Sequence, residues 1–309
     1  MKWIVHRLSV AAESSGMRLD RFIAARVTDI SRTQAKKIID LGGVHVNGRR
    51  SRSCAATVAE LDRIEVYLDR LPLDPYRLDA ADICYQDSYL IVLNKPAQVD
   101  TQPTHARYQG TLYEALQRHL YDPFRRHDKP SIGMVQRLDR GTTGLMVFSL
   151  HPRAHKGLSV QFAEQRVDKR YLALVAQAPP AEQGEIRSQL ARSRKDNRVR
   201  SVAHGGRLAL TRYQIREPFA AATLVELELL TGRSHQIRAH MAEQGCPLLG
   251  DLRYSGPSQI AGVVLERPML HAEKLAFRHP VSDKLLEFAL APPPDMQQLC
   301  VSLRSETLD

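Results

Sequence analysis

Several features that define other protein classes are missing from this 309-residue sequence. No apolar run approaches the roughly 20 residues that a bilayer-spanning helix needs, so we expect no membrane-spanning segment. The opening stretch MKWIVHRLSVAAESSGM has one short apolar patch and no clear cleavage site, and we predict no secretory signal peptide. None of the four cysteines forms a C-x-x-C pair, which disfavours a zinc knuckle. Scattered cysteines without an export signal indicate the reducing cytoplasm.

Motifs for bound nucleotides and metals are missing too. The sequence has no G-x-x-x-x-G-K-[ST] loop and no G-x-G-x-x-G after a strand, which disfavours the common phosphate-cradling and dinucleotide sites. No Ser or Cys stands in a nucleophile elbow. On a helix, His235 and His240 would point about 140° apart, too far round to share one ion. We therefore predict no metal and no cofactor, and we interpret His240 as a packing residue or as a side chain that faces a bound partner.

Positive charge is what the sequence has in excess, with a formal net charge of +10. Residues 18–52 carry nine Lys and Arg against three Asp and Glu, and residues 187–212 carry eight against one. The net positive charge of these two windows together exceeds that of the whole chain, so the rest of the chain is net negative. Basic charge this localised favours a polyanionic partner. The alternative for either window alone is a solvated basic face.

The first basic window has the pattern of two helices followed by a hairpin. RLDRFIAARV places its apolar residues on one helical stripe. Ser31 followed by Gln34 predicts a capping box at the start of a second helix, and Gly42 with its neighbouring glycine predicts the end of that helix. Asn47-Gly48 predicts a tight turn, with the returning strand near AATVAE and a further strand at DRIEVYL.

A second, larger domain is predicted after a proline-containing linker at residues 69–82. Its predicted strands are YLIVLNK, GLMVFSL, KRYLALVAQ, ATLVELELL and LLEFALA, and its predicted helices include TLYEALQRHL and HKGLSVQFAEQ. Strands outnumber helices and do not alternate regularly with them, so we predict an α+β fold with a large mixed, mainly antiparallel sheet. We assign residues 1–75 to a small α/β module, with its core at 17–68, and residues 76–309 to the larger domain.

The stretch QRLDRGTTG holds the most unusual carboxylate of the chain. Asp139 stands between Arg137 and Arg140, and the small residues behind it can expose its side chain at the entrance of a buried strand. Taken alone, this residue would be a turn-capping aspartate. Taken alone, Tyr171 would be a half-buried strand residue, and Arg238 would belong to a solvated helix face.

Together, these residues lie in motifs that resemble the RluA family of pseudouridine synthases. The family motif H-R-L-D-x-x-T-S-G corresponds to residues 136–144, K-R-Y-L-A to residues 169–173, and G-R-x-H-Q-I-R to residues 232–238. Asn94-Lys95-Pro96 matches the end of the family's opening strand, and the order of the motifs is that of the family. The match covers nearly the whole chain and implies the pseudouridine synthase fold, with a central cleft.

The motifs depart from the family pattern at a few positions. Gln136 stands where the family usually has His, and Thr143 stands where it usually has Ser. Both residues keep a hydrogen-bonding group, so we expect activity to be retained. AQVDTQPT stands where many relatives have His-Pro-Gly, which changes the RNA contact expected there.

The first basic window resembles the small RNA-binding module of the bacterial small-subunit ribosomal protein S-four family. The resemblance extends from Met17 to Arg50. It implies phosphate contacts, which give affinity and position rather than base sequence. The side chains it implies are Arg18, Arg32, Lys36, Lys37 and Arg49. The alternative is a helix–hairpin subdomain that makes no RNA contacts.

The family resemblance implies an isomerase that converts uridine in RNA to pseudouridine. Asp139 would be the nucleophile, and Arg238 would be the cation that keeps it ionised. Attack at the anomeric carbon of ribose and attack at carbon six of uracil both stay open. Tyr171 would lie against the uracil and later accept the proton from carbon five.

The same motifs imply residues that contact the RNA around the flipped uridine. Arg137 would fill the space that the uridine leaves in its stack. Arg233, His235 and Gln236 would bind RNA beside the cleft. The implied partner is RNA, with ribosomal RNA of the large subunit first and transfer RNA as the alternative. We expect a cytoplasmic monomer. The competing functions are a catalytically silent RNA-binding or ribosome-assembly protein and, with little support, a metal-dependent nuclease.

Overall fold

The computed structural model describes residues 3–124 and 130–305. The chain divides into two compact units, one formed by Met1–Leu78 with Val99–Asp128 and the other by Asp79–Gln98 with Lys129–Asp309. The described part of residues 99–128, which we expected in the larger domain, therefore groups with the first unit. Among the described residues, no helix combines the length and the apolar character that a membrane crossing requires.

The helices and strands are numbered in chain order. The helices are α1 Leu19–Arg26, α2 Arg32–Leu41, α3 Leu112–His119, α4 Pro152–Ala163, α5 Gln236–Glu243 and α6 Pro294–Ser305. The strands are β1 Ile4–Ser9, β2 Val44–Val46, β3 Arg49–Arg50, β4 Arg63–Leu68, β5 Ile83–Gln86, β6 Leu90–Lys95, β7 Gly133–Met134, β8 Thr143–Ser149, β9 Asp168–Val175, β10 Gln183–Arg192, β11 Val199–Ser201, β12 Arg207–Pro218, β13 Thr223–Leu229, β14 Gln259–Ile260, β15 Val263–Val264, β16 Leu270–Arg278 and β17 Leu285–Ala289.

The first unit contains α1, α2 and an antiparallel sheet of order β1-β4-β2-β3. The predicted capping box is confirmed, because the Ser31 hydroxyl accepts from the Gln34 amide and the Gln34 side chain accepts from the Ser31 amide. Gly42 ends α2 in the left-handed conformation, with φ 88°. The apolar stripe of α1 packs against α2 and the sheet in a core that includes Phe22, which is fully buried.

The predicted hairpin is confirmed, but the predicted returning strand is wrong. Asn47 and Gly48 have φ 50° and 77°, as a two-residue hairpin turn requires. Such a turn reverses the chain at once, so the returning strand of the hairpin is β3, directly after the turn. AATVAE forms no strand and makes only an isolated bridge, between Thr57 and Arg18.

The segment after β6 packs within the first unit. The Tyr108 amide donates to the Leu41 carbonyl at the end of α2, over 2.6 Å. Arg107 forms a buried ion pair with Asp69, whose Oδ2 lies 2.9 Å from the arginine Nε. A buried, doubly hydrogen-bonded pair of this kind fixes the segment against the linker, because separating either partner leaves an uncompensated charge.

The second unit is built on a mixed sheet, which has eleven strands within residues 79–98 and 130–305. Its order is β11-β10-β12-β13-β9-β16-β8-β6-β5, with β17 paired to β16 and β7 paired to β8. Every pair is antiparallel except β8 with β16. The predicted α+β class with a mainly antiparallel sheet is therefore confirmed. The five predicted strands quoted above correspond to β6, β8, β9, β13 and β17.

The register of the central strands brings the predicted motifs together. Ala272 on β16 pairs with Tyr171 on β9 on one side and with Gly144 on β8 on the other. Neighbouring strands lie about 4.8 Å apart, so Tyr171 is two strand spacings from the start of β8. The motif around Asp139 and the motif around Tyr171 therefore meet at one place in the sheet.

Replacing Gly144 with Ala should destabilise the protein. A Cβ at Gly144 would lie 2.3 Å from the Ala272 carbonyl oxygen, and the glycine has φ 109°. Backbone strain and overpacking together should cost roughly 2–5 kcal/mol. The matched control is Gly205→Ala, at φ 77° with no atom within 4 Å of the added carbon. Urea unfolding should give a clearly lower midpoint for the first variant, and equal midpoints would contradict the close approach of the two strands.

Candidate active site

Asp139 lies in the turn that leads into β8. The Thr142 amide donates to the Asp139 carbonyl over 3.0 Å, which closes the turn. Lys95, fully buried at the end of β6, donates to the carbonyls of Arg140 and Thr142 over 3.1 and 2.8 Å. A third bond joins its Nζ to the Pro96 carbonyl at 2.8 Å. The lysine of the N-K-P motif thus fixes the turn that carries the carboxylate.

Arg238 joins two carboxylates. Its Nη1 donates to Asp139 Oδ2 over 2.9 Å. Its Nε and Nη2 donate to Asp251 over 2.6 and 2.8 Å, a bidentate pair that fixes the plane of the guanidinium. The Asp251 side chain is 1% exposed, whereas that of Asp139 is 30% exposed. Asp251 therefore orients the arginine from inside, and Asp139 keeps one face open to a reactant.

The pKa of Asp139 is low. Burial on its own would raise the pKa of this carboxyl, but the positive charges around it outweigh burial and hold the pKa below its usual value. His235 contributes to this only when it is protonated, so at neutral pH the cations responsible are Arg238 and Lys95. Burial on its own would lower the pKa of Arg238, and the two carboxylates raise it above its usual value. The pair is therefore charged at neutral pH.

His235 is a neutral neighbour of this pair. Burial, with the charges of Arg238 and other arginines, lowers the pKa of His235 to about 4 against the opposing pull of Asp139. Tyr254 links β11 to His235, since its hydroxyl accepts from the Val199 amide and lies 3.0 Å from His235 Nδ1. Its ring also stacks on Arg238, with 5.1 Å between the guanidinium carbon and the ring centroid. Tyr254 therefore holds both the arginine and the histidine in place.

Tyr171 is 7% exposed. Burial, and then the negative charge of Asp139, raise the pKa of the Tyr171 phenol far above its usual value. The side chain is therefore a neutral phenol, which is a poor base. This favours the packing role predicted for Tyr171 over the role of proton acceptor.

The other side chains predicted near the cleft differ in exposure. Arg137 is exposed, and Arg233 is half-buried with its Nε donating to the Leu208 carbonyl over 2.9 Å. Gln236 is 2% exposed. Its amide nitrogen donates to the Leu210 carbonyl and the Thr211 hydroxyl, and its oxygen accepts from the Thr231 hydroxyl and the Arg233 amide. An amide has two donors and two acceptor sites, so none is left for RNA, and the prediction for Gln236 is wrong.

His240 and the first unit's cations complete the predicted set. His240 is fully buried, with Ser188 and Thr211 hydroxyls 3.0 and 2.9 Å from its two nitrogens, which makes it a packing residue. Arg18 and Arg32 both pair with Asp20, and Lys37 pairs with Asp74 at 3.0 Å. Lys36 and Arg49 are exposed. Within the described residues, no three His, Cys, Asp or Glu side chains are grouped so as to hold a metal ion.

Thr143, one of the departures from the family motif, binds a buried histidine. Its hydroxyl lies 2.9 Å from His271 Nδ1, and His271 Nε2 lies 3.1 Å from the Leu290 carbonyl. A carbonyl can only accept, so Nε2 carries the proton and Nδ1 accepts from the threonine. The other departure, Gln136, is half-buried, and its amide nitrogen is buried without an acceptor among the described residues.

His271 should make the protein less stable in acid. Burial lowers the pKa of His271 to about 4 from 6.5. Between these values the unfolded chain binds the proton and the folded chain does not, so the free energy of unfolding falls as pH falls from 6.5 to 4. The contribution of this one residue is about 3 kcal/mol. Urea unfolding at several pH values should show a shallower acid dependence for His271→Gln, and no change for His204→Gln on the exposed β11–β12 connection.

Several residues of the site were missed by sequence reasoning. Asp251 and Tyr254 follow a buried apolar run in LLGDLRYSG, and nothing in their spacing links them to Arg238. A second acceptor for Arg238 could have been expected from chemistry rather than from a sequence pattern. A buried guanidinium has more N–H donors than the single contact with Asp139 uses. Lys95 was noted only as part of a motif, and its burial as a turn-holding cation is visible only in the structure.

The site thus places an ionised carboxylate beside a permanent cation, with a buried tyrosine on β9, two strand spacings from the start of β8. Residues 89–243 match the family model described as RNA pseudouridylate synthase, and residues 17–64 match the S4 domain. The chain belongs to the RNA pseudouridylate synthase family, in its RluA-type branch, and is an isomerase that acts on RNA.

Similar proteins are found in bacteria and plants. The ribosomal large subunit pseudouridine synthase D of Zymomonas mobilis is 34% identical over 95% of this chain and 96% of its own length. The chloroplastic RNA pseudouridine synthase 2 of Arabidopsis thaliana is 32% identical over 97% of this chain and 83% of its own. The solved structure of human RNA pseudouridylate synthase domain containing 4 has the same fold, with a TM-score of 0.60 at 24% identity, over 72% of this chain and 93% of that one.

Proposed function

We propose that this enzyme isomerises uridine to pseudouridine in ribosomal RNA of the large subunit, with Asp139 as the nucleophile. The observation that carries the proposal is the half-open ion pair, in which Arg238 holds Asp139 at 2.9 Å while the carboxylate keeps 30% of its surface. Without such a partner, partial burial would raise the pKa of this carboxyl and leave less of it ionised. The choice of RNA is supported by the similarity to the large-subunit enzyme of Zymomonas mobilis.

The proposed reaction needs only groups of this site and the substrate. A carboxylate oxygen of Asp139 forms a bond to the anomeric carbon or to carbon six of the uridine, and the bond between ribose and the base nitrogen breaks. The base turns and rejoins the ribose through carbon five, and the bond to Asp139 breaks, which restores the carboxylate. The net proton transfer is from carbon five to nitrogen one of the same base, so the product is an isomer of the substrate. Tyr171 packs against the uracil as a neutral phenol. Arg238 keeps the carboxylate anionic before attack and after release.

The uridine must leave its stack, which costs a few kcal/mol. RNA contacts made by Arg137, Arg233 and the cations of the first unit offset this cost. A neutral His235 beside Asp139 is suited to hydrogen bonding with the flipped nucleotide, since it adds no charge to the pair.

Pseudouridine mapping tests the target. Cells with and without the gene should differ at one or more sites in large-subunit ribosomal RNA, and the purified enzyme should restore those sites in an unmodified transcript. Loss confined to transfer RNA would overturn the proposed target and leave the activity intact. No difference in any RNA would contradict the activity itself.

RNA affinity should fall steeply with salt, because the first unit's cations and the 187–212 strands carry the net charge. Each neutralised phosphate releases counterions, and six or more contacts lower affinity by roughly 100-fold or more between 50 and 200 mM salt. Filter binding of the same transcript at several salt concentrations measures the slope. A flat profile would show that the two basic regions do not hold the RNA backbone.

A further inference from the structure

The cations of the first unit fall into two groups with different surroundings. Arg18 and Arg32 both pair with Asp20, whose side chain is fully buried. Burial on its own would raise the pKa of Asp20, but the two arginines outweigh burial and lower the pKa to about 2. Arg50 and Arg52, at the end of the hairpin, form no ion pair with any carboxylate in residues 3–124 and 130–305. With Arg49, they form a cluster of three arginines within four residues after the hairpin turn.

A tyrosine from the 99–124 segment holds these two arginines together. The guanidinium carbon of Arg52 lies 4.3 Å from the centroid of the Tyr108 ring, and that of Arg50 lies 5.7 Å from it. Arg50 also donates from Nη2 to the Thr104 carbonyl. Cations at these distances are attracted by the ring and lose part of their freedom. The ring thus orders two like charges around one aromatic side chain.

Tyr108 is itself fixed from two directions. Its amide donates to the Leu41 carbonyl over 2.6 Å, and its hydroxyl donates to Gln117 Oε1 on α3 over 3.2 Å. Burial, together with the neighbouring charge of Arg52, lowers the pKa of Arg50. An anion bound near both arginines would offset this mutual repulsion.

We propose that Arg50, Arg52 and Tyr108 form a phosphate clamp that binds the RNA backbone. Arginine suits this role because its planar fork grips phosphate oxygens in pairs and stays charged. Beside the clamp lies a recess of about 240 Å³ lined in part by Arg49, Arg50 and Ser51, which offers further donors along the same strand. Contacts of this kind position the RNA without reading its sequence.

The clamp extends the RNA-binding unit beyond the residues that match the S4 domain. Arg50 and Arg52 lie within residues 17–64, but Tyr108 lies within the stretch that matches the pseudouridine synthase family. The proposal rests on the RNA-modifying activity of the enzyme and adds to it a binding site made from both parts of the sequence.

The first test compares Arg52→Gln with Arg7→Gln in the full chain. Both remove one exposed charge from the same unit, but Arg7 is paired with Glu65 at 3.2 Å and lies outside the clamp. The probes are unmodified large-subunit ribosomal RNA and unmodified transfer RNA made by transcription, and the one that the wild-type enzyme binds more tightly is used throughout. Arg52→Gln should weaken binding roughly tenfold and lower the salt slope by about 1.

The second test changes the ring without changing the charge. Tyr108→Leu keeps apolar bulk but removes the aromatic face, and should weaken binding roughly 2–5-fold. Tyr108→Phe keeps the face and should bind as the wild type does. The clamp is overturned if Arg52→Gln behaves like Arg7→Gln, or if Tyr108→Leu binds as tightly as Tyr108→Phe. If wild-type protein binds RNA through the clamp but does not isomerise uridine, the proposed function fails and the binding site stands.

Discussion

Replacing Asp139 with Asn should abolish isomerisation and leave RNA affinity within about twofold of the wild type. Asparagine has the shape of aspartate but no anionic oxygen, so the proposed step that forms a covalent bond to the uridine would be lost. Losing a nucleophile typically lowers kcat by roughly 10³-fold or more. Single-turnover assays on unmodified transcript measure the first quantity, and filter binding of the same transcript measures the second.

The same variant separates an enzyme from a silent RNA-binding protein. Arg238 keeps its bidentate pair with Asp251 when Asp139 is changed, so the fold around the site is retained. Thermal unfolding should therefore change little. Activity equal to that of the wild type would contradict the assignment of Asp139 as nucleophile. Loss of RNA binding together with activity would point to a structural role instead.

Replacing Arg238 with Gln should lower both stability and activity. The Asp251 carboxylate is 1% exposed, and it would be left buried without its cation. Breaking a buried pair in this way costs roughly 3–5 kcal/mol. The pKa of Asp139 would also rise, because burial would no longer be opposed by the nearest cation, so less of the carboxylate would be ionised at neutral pH. Urea unfolding and single-turnover kinetics measure the two losses.

A double variant separates these two effects. Arg238→Gln with Asp251→Asn removes both buried charges, so most of the lost stability should return while activity stays low. The matched control is Arg170→Gln, because Arg170 is itself half-exposed and pairs with the half-exposed Asp168 on β9. It also pairs with the buried Glu226 on β13, which keeps its second ion pair, with Arg216, when Arg170 is changed. Its cost should be about 1 kcal/mol or less. If the double variant recovers activity as well as stability, the arginine serves only to hold the fold.

The sequence predicted the parts of the fold that depend on local rules. The capping box at Ser31, the end of α2 at Gly42 and the turn at Asn47 each follow from hydrogen bonds or torsion angles within a few residues. The strand predicted at AATVAE failed because turn length, rather than composition, decides where the returning strand begins.

The site was predictable where a motif brings its own residues together, and not where distant residues decide the role. Asp139 and Arg238 came from motifs, and the structure brings them to 2.9 Å. Asp251 lies in a loop after β13 and α5, where no periodicity marks a buried acceptor. Gln236 was assigned to RNA because a polar side chain in a motif suggests contact with a ligand. The carbonyl and hydroxyl groups that fill its hydrogen bonds come from β12 and the 231–233 turn, which sequence does not reveal.

The grouping of residues 99–124 with the first unit limits where the chain can be divided into fragments that fold. The polypeptide changes unit three times, near residues 78, 98 and 128, so no single cut separates the two halves. A fragment ending near residue 75 would lack Arg107 and with it the bidentate ion pair that this arginine forms with Asp69. The amino-terminal segment therefore cannot be exchanged between enzymes by a single fusion point. A hybrid protein would need residues 99–124 from the same parent as residues 3–78.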